Sequence, residues 1–304
     1  MKSLDVFRHA LTLPSPLVPF EPDWPGAEKV SLYVKRDDAI HPVMSGNKWR
    51  KLSPVFKRDI PREIVSFGGG YSNHLHALGY ACHQLNIPLT AVIRGNYTAN
   101  PTPMIVDLMR WGIRICYVDR DTYKKRHDSH YLSELQQRYP DALLIPEGGS
   151  QQIALEGVSE LVREIDIHVD HLIAPVASGA TLAGIAAALN AQTLSSPLQP
   201  NPASAIGIGV LKGEGYLESL VENLLPITLD NWHIQHEYHM GGYAKVPHAL
   251  REFCQQFNET MPFSIEPVYS GKVFWAVKDM LAKSTFEPGA QIVILHTGGL
   301  QGAR

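Results

Sequence analysis

Cysteine is scarce in this sequence, and neither sign of charge is in clear excess. Three cysteines, Cys82, Cys116 and Cys254, lie far apart among 304 residues. An odd, widely spaced set does not build a disulfide framework, so we expect free thiols and a cytoplasmic protein. Lys and Arg total 27 against 30 Asp and Glu, a formal charge of −3. Such a balance supplies neither a basic patch for nucleic acid nor a polybasic run for an anionic membrane.

Long apolar runs are also missing. None approaches the ~18 residues that a membrane-spanning helix needs. Asp5, Arg8, His9 and two prolines interrupt the first 17 residues, so we do not expect a signal peptide. The apolar fraction of 44% and the charged fraction of 19% are typical of globular proteins. We therefore expect no membrane or nucleic-acid partner.

Short apolar runs and helical patterns alternate along the chain. The runs cover residues 64–67, 89–93, 113–118, 142–145, 172–177, 205–211 and 291–296. Most lack polar alternation, which is typical of strands buried on both faces of a parallel sheet. Helices are predicted over 72–85, 103–111, 181–192 and 214–225, with further apolar helical faces beginning at Val158 and Val273. The alternation predicts an α/β fold, and seven or more strands favour two sheets.

A lysine-rich segment reads Ser-Gly-Asn-Lys-Trp-Arg-Lys over residues 45–51. Asn47 can act as an N-cap, so that Lys48 would open a helix. The helix dipole, Arg50 and Lys51 would then lower the pKa of Lys48 below its ordinary ~10.4. A neutral lysine amine is what Schiff-base chemistry requires. The alternative is a solvated basic helix start.

Two segments are suited to binding anions. Residues 66–74 read Ser-Phe-Gly-Gly-Gly-Tyr-Ser-Asn-His, and the free N–H groups of a helix capped by Ser72 or Asn73 would hold a carboxylate. In the second segment, Ser178-Gly179-Ala180-Thr181 joins an apolar strand to a helix and forms a candidate phosphate cradle without the ending of a P-loop. Each segment could instead be a plain strand-to-helix turn.

Two hydroxyl-bearing segments lie near the end of the chain, one leading into a predicted helix and one directly after a predicted strand, and each would place hydroxyls at the edge of a sheet. Residues 265–272 read Ile-Glu-Pro-Val-Tyr-Ser-Gly-Lys and residues 295–299 read Leu-His-Thr-Gly-Gly. A rival signal, Gly207-x-Gly209-x-x-x-Gly213, would indicate a nucleotide-dependent oxidoreductase. Its spacing differs from the dinucleotide fingerprint by one residue, and its first two glycines lie inside an apolar run, which favours close strand packing.

Five of these motifs, taken in order, resemble one family. They are Asn-Lys-x-Arg-Lys, Gly-Gly-x-x-Ser-Asn, Ser-Gly-x-Thr-x-Ala-Gly, Pro-Val-Tyr-x-Gly-Lys and His-Thr-Gly-Gly, from about residue 35 to the C-terminus. This is the motif order of the 1-aminocyclopropane-1-carboxylate deaminase and D-cysteine desulfhydrase family. Its members use pyridoxal 5′-phosphate (PLP) and have the tryptophan-synthase-β fold, PLP fold type II.

The resemblance implies a two-domain α/β architecture and a homodimer. A large PLP-binding domain would comprise residues 1–46 and 150–304, and a smaller inserted α/β domain would comprise residues 47–149. Each domain would be a mainly parallel sheet flanked by helices.

The resemblance also implies roles for individual residues. Lys48 matches the Schiff-base lysine. The cofactor phosphate would be held by Lys51, Ser178, Gly179, Ala180 and Thr181. Asn73 matches the partner of the cofactor's phenolic oxygen, and Thr297 lies where a residue contacts the pyridine nitrogen. The substrate would be bound by Ser72, Asn73, His74 and Tyr269, and catalysis would involve Lys48, Ser72 and Tyr269.

Departures from the family pattern bear on the activity. The deaminases place a glutamate after the tyrosine, paired with the pyridine nitrogen, where this chain has Ser270. Because a hydroxyl supplies no full negative charge, the ring would be a weaker electron sink, which suits loss of a thiolate better than ring opening. His74 also matches the desulfhydrases. Tyr71 and His76 match neither pattern and leave the substrate open.

We therefore expect a PLP-dependent lyase or deaminase acting on a small amino acid by β-elimination. D-Cysteine would give an α-keto acid, ammonia and sulfide. The alternatives are cyclopropane-ring deamination to 2-oxobutanoate and ammonia, and a non-catalytic PLP-binding protein.

Overall fold

The computed structural model describes residues 4–44, 46–195 and 202–299, which form an α/β fold with two sheets. The strands are β1 Leu17–Pro19, β2 Ser31–Lys35, β3 Glu63–Gly69, β4 Leu89–Arg94, β5 Arg114–Val118, β6 Ala142–Ile145, β7 His171–Val176, β8 Ser204–Gly209, β9 Trp232–Gln235 and β10 Gln291–Leu295. The α-helices are α1 Leu4–His9, α2 Asn47–Arg58, α3 Asn73–Leu85, α4 Pro103–Arg110, α5 Arg120–Lys124, α6 Ser129–Arg138, α7 Ala154–Arg163, α8 Ala180–Ser195, α9 Tyr216–Glu222, α10 His248–Thr260 and α11 Ser270–Ala282.

One sheet has six strands in the order β1-β2-β10-β7-β8-β9, and the other has four in the order β5-β4-β3-β6. All neighbouring pairs are parallel except β1 with β2. Parallel sheets bury both faces, which explains the apolar runs without alternation. The predicted α/β class is confirmed. Every strand of the four-stranded sheet lies between residues 63 and 145, while the domain boundaries predicted at 46/47 and 149/150 stay a prediction.

The seven predicted strands are all present, with ends shifted by one or two residues. Three strands escaped prediction, namely β1, β2 and β9. Each of them lies at or next to a sheet edge. Strand β1 has only three residues, and β2 and β9 mix polar with apolar residues. Gly207 and Gly209 lie in β8, as expected for strand glycines, and a Cβ on Gly207 would come within 2.5 Å of Val176 Cγ2.

Within the described ranges, no helix is both long enough and apolar enough to cross a bilayer.

Helix α2, which carries Lys48, packs closely on α7. A Cβ on Gly157 would lie 1.9 Å from the Arg50 carbonyl oxygen, so only glycine permits this approach. Helix α7 in turn packs on α8, where Gly184 meets Val158. This row of three helices brings the lysine segment near the predicted phosphate segment.

A buried ion network fixes α2 at its first turn. Arg50 donates to both carboxylate oxygens of Asp37, at 2.8 and 3.1 Å, and to both of Glu164. Lys35 Nζ lies 2.8 Å from Glu164 Oε2. Arg50, Asp37 and Lys35 are almost fully buried. Because an unpaired charge is costly in a buried position, the network holds α2 against the C-terminal end of β2, where Lys35 lies.

Replacing Arg50 by methionine should destabilise the fold strongly. The change leaves the Asp37 carboxylate buried without its cation, at a cost of about 3–5 kcal/mol. Urea unfolding followed by circular dichroism measures the change. Arg58→Met is the matched control on the same helix, because the Arg58–Glu156 pair is exposed and should contribute under about 1 kcal/mol. Equal unfolding midpoints for the two variants would contradict this account.

Candidate active site

Lys48 lies at the start of α2, and its amine is two hydrogen bonds away from the predicted phosphate segment. Lys48 Nζ donates to Asn47 Oδ1 at 2.9 Å, and Asn47 Nδ2 donates to Thr181 Oγ1 at 3.2 Å. Asn47 was predicted to be the N-cap of this helix, and that prediction is wrong. The cap position is Gly46, without a side-chain cap bond. The Asn47 side chain instead bridges two elements.

Gly46 is required where it stands. Its φ is 62°, a left-handed conformation, and a Cβ there would lie 1.6 Å from the Thr297 carbonyl oxygen. The start of α2 is therefore in close contact with Thr297, two residues after the end of β10. Thr297 is buried here, so the lysine segment and the predicted pyridine-nitrogen segment are neighbours.

The pKa of Lys48 is lowered to about 8, mainly because burial disfavours the charged amine, while Glu266 opposes the shift. The direction matches the sequence-based expectation, but the expected cause does not hold for Arg50. Its guanidinium lies in the ion network with Asp37 and Glu164. The effect between the two lysines runs the other way, because burial and then Lys48 lower the pKa of Lys51 well below its ordinary value.

Lys51 reaches the predicted phosphate segment directly. Its ammonium lies 3.2 Å from Ser178 Oγ, 3.4 Å from Ser150 Oγ and 3.4 Å from the Gly148 carbonyl oxygen. All three are neutral acceptors at long distances. Among the described residues, no carboxylate accepts a hydrogen bond from Lys48 or Lys51. A half-buried and a buried amine that donate to no carboxylate, beside the N-terminus of the 16-residue helix α8, are suited to a phosphate.

His74 has an unpaired polar atom close to Lys51. Its Nε2 lies 2.8 Å from Ser66 Oγ, which donates its own proton to the Ile145 carbonyl oxygen at 2.8 Å. The Nε2 atom must therefore carry the imidazole proton. The buried Nδ1 has no hydrogen-bond partner among the described residues. It lies beside Gly149 and Lys51, and burial together with the two lysines lowers the pKa of His74 to about 3.

The N-terminus of α3 is capped as predicted. Ser72 is the N-cap, and its hydroxyl oxygen accepts a hydrogen bond from the Leu75 N–H at 3.2 Å. Asn73 begins the helix. A Cβ on Gly299 would lie 3.1 Å from Asn73 Nδ2 and 3.8 Å from Glu266 Oε1. The Gly299 backbone therefore lies between α3 and the segment before α11.

Sequence reasoning missed Glu266 as a site residue. Its buried carboxylate accepts hydrogen bonds from the backbone N–H groups of Val268, Tyr269 and Ser270, at 2.7 to 2.9 Å. Burial raises the pKa of Glu266, and these donors oppose the rise. The segment Glu-Pro-Val-Tyr contained the signal, because a glutamate beside a proline just before a helix can cap that helix.

Tyr243 is a second residue that the sequence did not reveal. Its hydroxyl lies 2.9 Å from that of Tyr269, and the two rings meet edge to face at 6.1 Å between centroids. Burial, Tyr243 and Glu266 raise the pKa of Tyr269 well above its ordinary value. Tyr269 is therefore a neutral phenol at physiological pH. The two tyrosines are 26 positions apart in the chain, which explains why no local motif links them.

The structure brings most of the predicted residues to one place. Hydrogen bonds connect Lys48 with Thr181 through Asn47, and Lys51 with Ser178. Gly179 and Ala180 lie between those two contacts in sequence, and Thr297 touches the start of α2. In the described part of the chain, no hydrogen bond joins any two of the three predicted catalytic residues, Lys48, Ser72 and Tyr269. The roles of all these residues stay predictions.

Comparisons with known proteins agree with this picture. The family model described as "Pyridoxal-phosphate dependent enzyme" matches residues 11–298. A D-cysteine desulfhydrase of Salmonella paratyphi A is 27% identical, over 94% of this chain and 92% of that protein. A bifunctional D-cysteine desulfhydrase/1-aminocyclopropane-1-carboxylate deaminase of Arabidopsis thaliana is 26% identical, over 89% of this chain and 73% of that protein.

A solved structure of an ACC deaminase homologue has the same fold. It superposes with a TM-score of 0.75 at 24% identity, over 97% of this chain and 92% of that chain. The expected PLP fold type II is thereby confirmed, and so are the expected family resemblance, enzyme class and cofactor. The chain belongs to the pyridoxal-phosphate-dependent enzyme family.

Proposed function

We propose that this enzyme catalyses β-elimination and deamination of a small amino acid, in the manner of a D-cysteine desulfhydrase. D-Cysteine would yield an α-keto acid, ammonia and sulfide. The observation that carries the proposal is the position of Lys48. Its readily neutralised amine connects through Asn47 to the Ser178–Thr181 turn, as an amine must if it is to reach an aldehyde whose phosphate is held there.

The residues around Lys48 fit PLP. Lys51, Ser178, Gly179, Ala180 and Thr181 would hold the phosphate, since Lys51 has only neutral acceptors. Asn73 would contact the phenolic oxygen, and Thr297 the pyridine nitrogen. The chemistry that PLP supplies when bound is withdrawal of electrons from the substrate's Cα.

The side chains at the start of α3 would orient the substrate. Its carboxylate would lie near Ser72 and Asn73, where the first N–H groups of the helix attract an anion. His74 would offer Nδ1 as a fixed acceptor for the substrate's ammonium, since the imidazole is neutral at any physiological pH. Both contacts bind the amino-acid backbone, so they favour amino acids as a class.

Proton transfer would involve Lys48, Ser72 and Tyr269. Lys48 or an ionised Ser72 would take the α-proton, and the bond from the Leu75 N–H to Ser72 Oγ favours negative charge on that oxygen. Tyr269 is protonated at physiological pH, so it would have a proton to transfer to the leaving sulfur. The departing thiolate thereby leaves as hydrosulfide or hydrogen sulfide.

A specific observation favours the second candidate, cyclopropane-ring deamination. From the sequence alone, Ser270 leaves the pyridine-nitrogen end of the site without an acid, so the cofactor ring would be a weaker electron sink. Ser270 Oγ in fact lies 3.2 Å from the buried Glu266 carboxylate. If that charge reaches the cofactor through Ser270, the electron sink is stronger than the sequence indicates, and release of 2-oxobutanoate and ammonia becomes accessible.

We also propose a homodimer acting in the cytoplasm, on the strength of the family resemblance and of the three free cysteines. Light scattering after gel filtration would measure the mass of the assembly in solution. A monomer mass would contradict the dimer.

Replacing Lys48 by alanine should abolish both the yellow absorbance of the bound cofactor and all keto-acid release, because no other amine has the same position. Absorbance spectra of the purified protein and a coupled keto-acid assay measure the two effects. Lys57→Ala is the matched control on α2, since Lys57 pairs with Glu160 at the surface. Retention of colour and turnover by Lys48→Ala would refute the assignment.

Attachment of PLP to the apoenzyme should accelerate with pH, with a midpoint near 8. Only the neutral amine reacts, and the lowered pKa of Lys48, about 8, leaves about a tenth of it neutral at pH 7. The rate should rise through that midpoint and level off above it. Stopped-flow absorbance measures the profile. A midpoint near 10 would show that burial does not alter the amine.

The substrate is expected to be D-cysteine or a similar β-substituted amino acid. A screen of D-cysteine, L-cysteine, β-chloroalanine, D-serine and 1-aminocyclopropane-1-carboxylate for keto-acid release decides between the candidates. Release of 2-oxobutanoate alone would favour the deaminase. Tight PLP binding without turnover of any of them would indicate a non-catalytic protein.

A further inference from the structure

A fully buried lysine outside the proposed catalytic set binds three backbone carbonyls. Lys272 Nζ donates to the carbonyl oxygens of Val210, His239 and Gly242, each at 2.9 Å. All three ammonium protons are therefore used. Among the described residues, no carboxylate forms an ion pair with it. A cation in a shell of carbonyls gains fixed geometry, because three acceptors define its position.

Two of those carbonyls belong to a turn that leads directly to Tyr243. Residues 239–243, the 239–243 turn, follow β9 and contain the left-handed residues Met240, Gly241 and Gly242. Within the turn, the Gly242 N–H donates to the His239 carbonyl oxygen at 3.0 Å. Its surface side is open, since Tyr243 is about half exposed. The bonds from Lys272 hold the inner side.

Lys272 also lies three residues after Tyr269, one turn into α11. The same helix therefore carries one tyrosine of the pair and the cation that holds the turn carrying the other. Tyr238 strengthens this attachment, because its hydroxyl donates to Asp279 of α11 at 2.8 Å. The distance between the Tyr243 and Tyr269 hydroxyls thus depends on the attachment of the turn to α11.

We infer that Lys272 is a positioning residue, whose ammonium fixes the 239–243 turn so that Tyr243 holds the Tyr269 hydroxyl in its reactive orientation. The inference rests on the proposed function, in which Tyr269 donates a proton to the leaving group. Lys272 itself need not touch the substrate. Displacing a reacting group by about 1 Å can lower turnover on the order of 100-fold.

Chemical rescue separates this role from a general contribution to folding. Lys272→Ala leaves a space lined by three carbonyls, and kcat should fall on the order of 10- to 100-fold with a smaller change in KM. n-Propylammonium fits the missing atoms and should restore a large part of kcat. Lys272→Met fills the space without a charge and should not respond to the amine. Lys272→Gln keeps two N–H donors for the three carbonyls, so it is the variant in which turnover is measured if the other two fail to fold.

A double-mutant cycle tests whether the effect passes through Tyr243. Tyr243→Phe removes the hydroxyl, so adding the Lys272 substitution should cost much less in that background than in the wild type. Lys278→Ala, a partly exposed lysine of α11 that lies over the Phe253 ring, is the matched control and should leave turnover unchanged. Fully additive losses would overturn the inference.

Limited trypsin cleavage tests the hold on the turn without any substrate. Lys245 is exposed just after the turn, so loosening the turn should raise cleavage after Lys245 several-fold in the Lys272 variants, while n-propylammonium lowers it again for Lys272→Ala. Mass spectrometry of the fragments measures the rates. Unchanged cleavage overturns the inference. If the wild type turns over no amino acid, the proposed function fails, yet this measurement still decides whether Lys272 holds the turn.

Discussion

The pairing of Arg50 with Asp37 and Glu164 is the interaction on which the site depends. It anchors the first turns of α2, which also carry the two lysines. Arg50 contacts the network, while Lys48 and Lys51, on the same two turns, contact Asn47 and Ser178. A buried ion pair is weak evidence for net stability, but its demanding geometry specifies one orientation of the helix. That orientation places both amines at the Ser178–Thr181 turn.

Beyond that anchor, the site places like charges together. Burial is the main cause of the lowered pKa values of Lys51 and His74; Lys48 lowers both further, and Lys51 also lowers that of His74. The carboxylate of Glu266 opposes the lowering of the Lys48 pKa. An anionic cofactor phosphate held there, as proposed, would offset the repulsion between the two lysines, and the free energy of cofactor binding would include that gain.

The sequence predicted the buried strands and the segments of the site because both are local signals. Runs such as 89–93 need only a count of apolar residues, and glycine-rich turns at 68–70 and 179 need only their neighbours. Other features depend on the assembled fold. The edge strand β9, the missed cap at Gly46, the diversion of Arg50 to Asp37 and the Tyr243–Tyr269 contact all require partners distant in the chain. No spacing rule encodes such partners, so their roles became visible only in three dimensions.

The contact between Gly46 and the Thr297 carbonyl has a consequence for biosynthesis. Strand β10 inserts between β2 and β7 and delivers Thr297 to the start of α2. The four-stranded sheet can form on the ribosome, since all its strands precede residue 146. Helix α2 can make its contact with Thr297 only after the segment that follows β10 has been translated. The contacts at the start of α2 are therefore completed later than those within the four-stranded sheet.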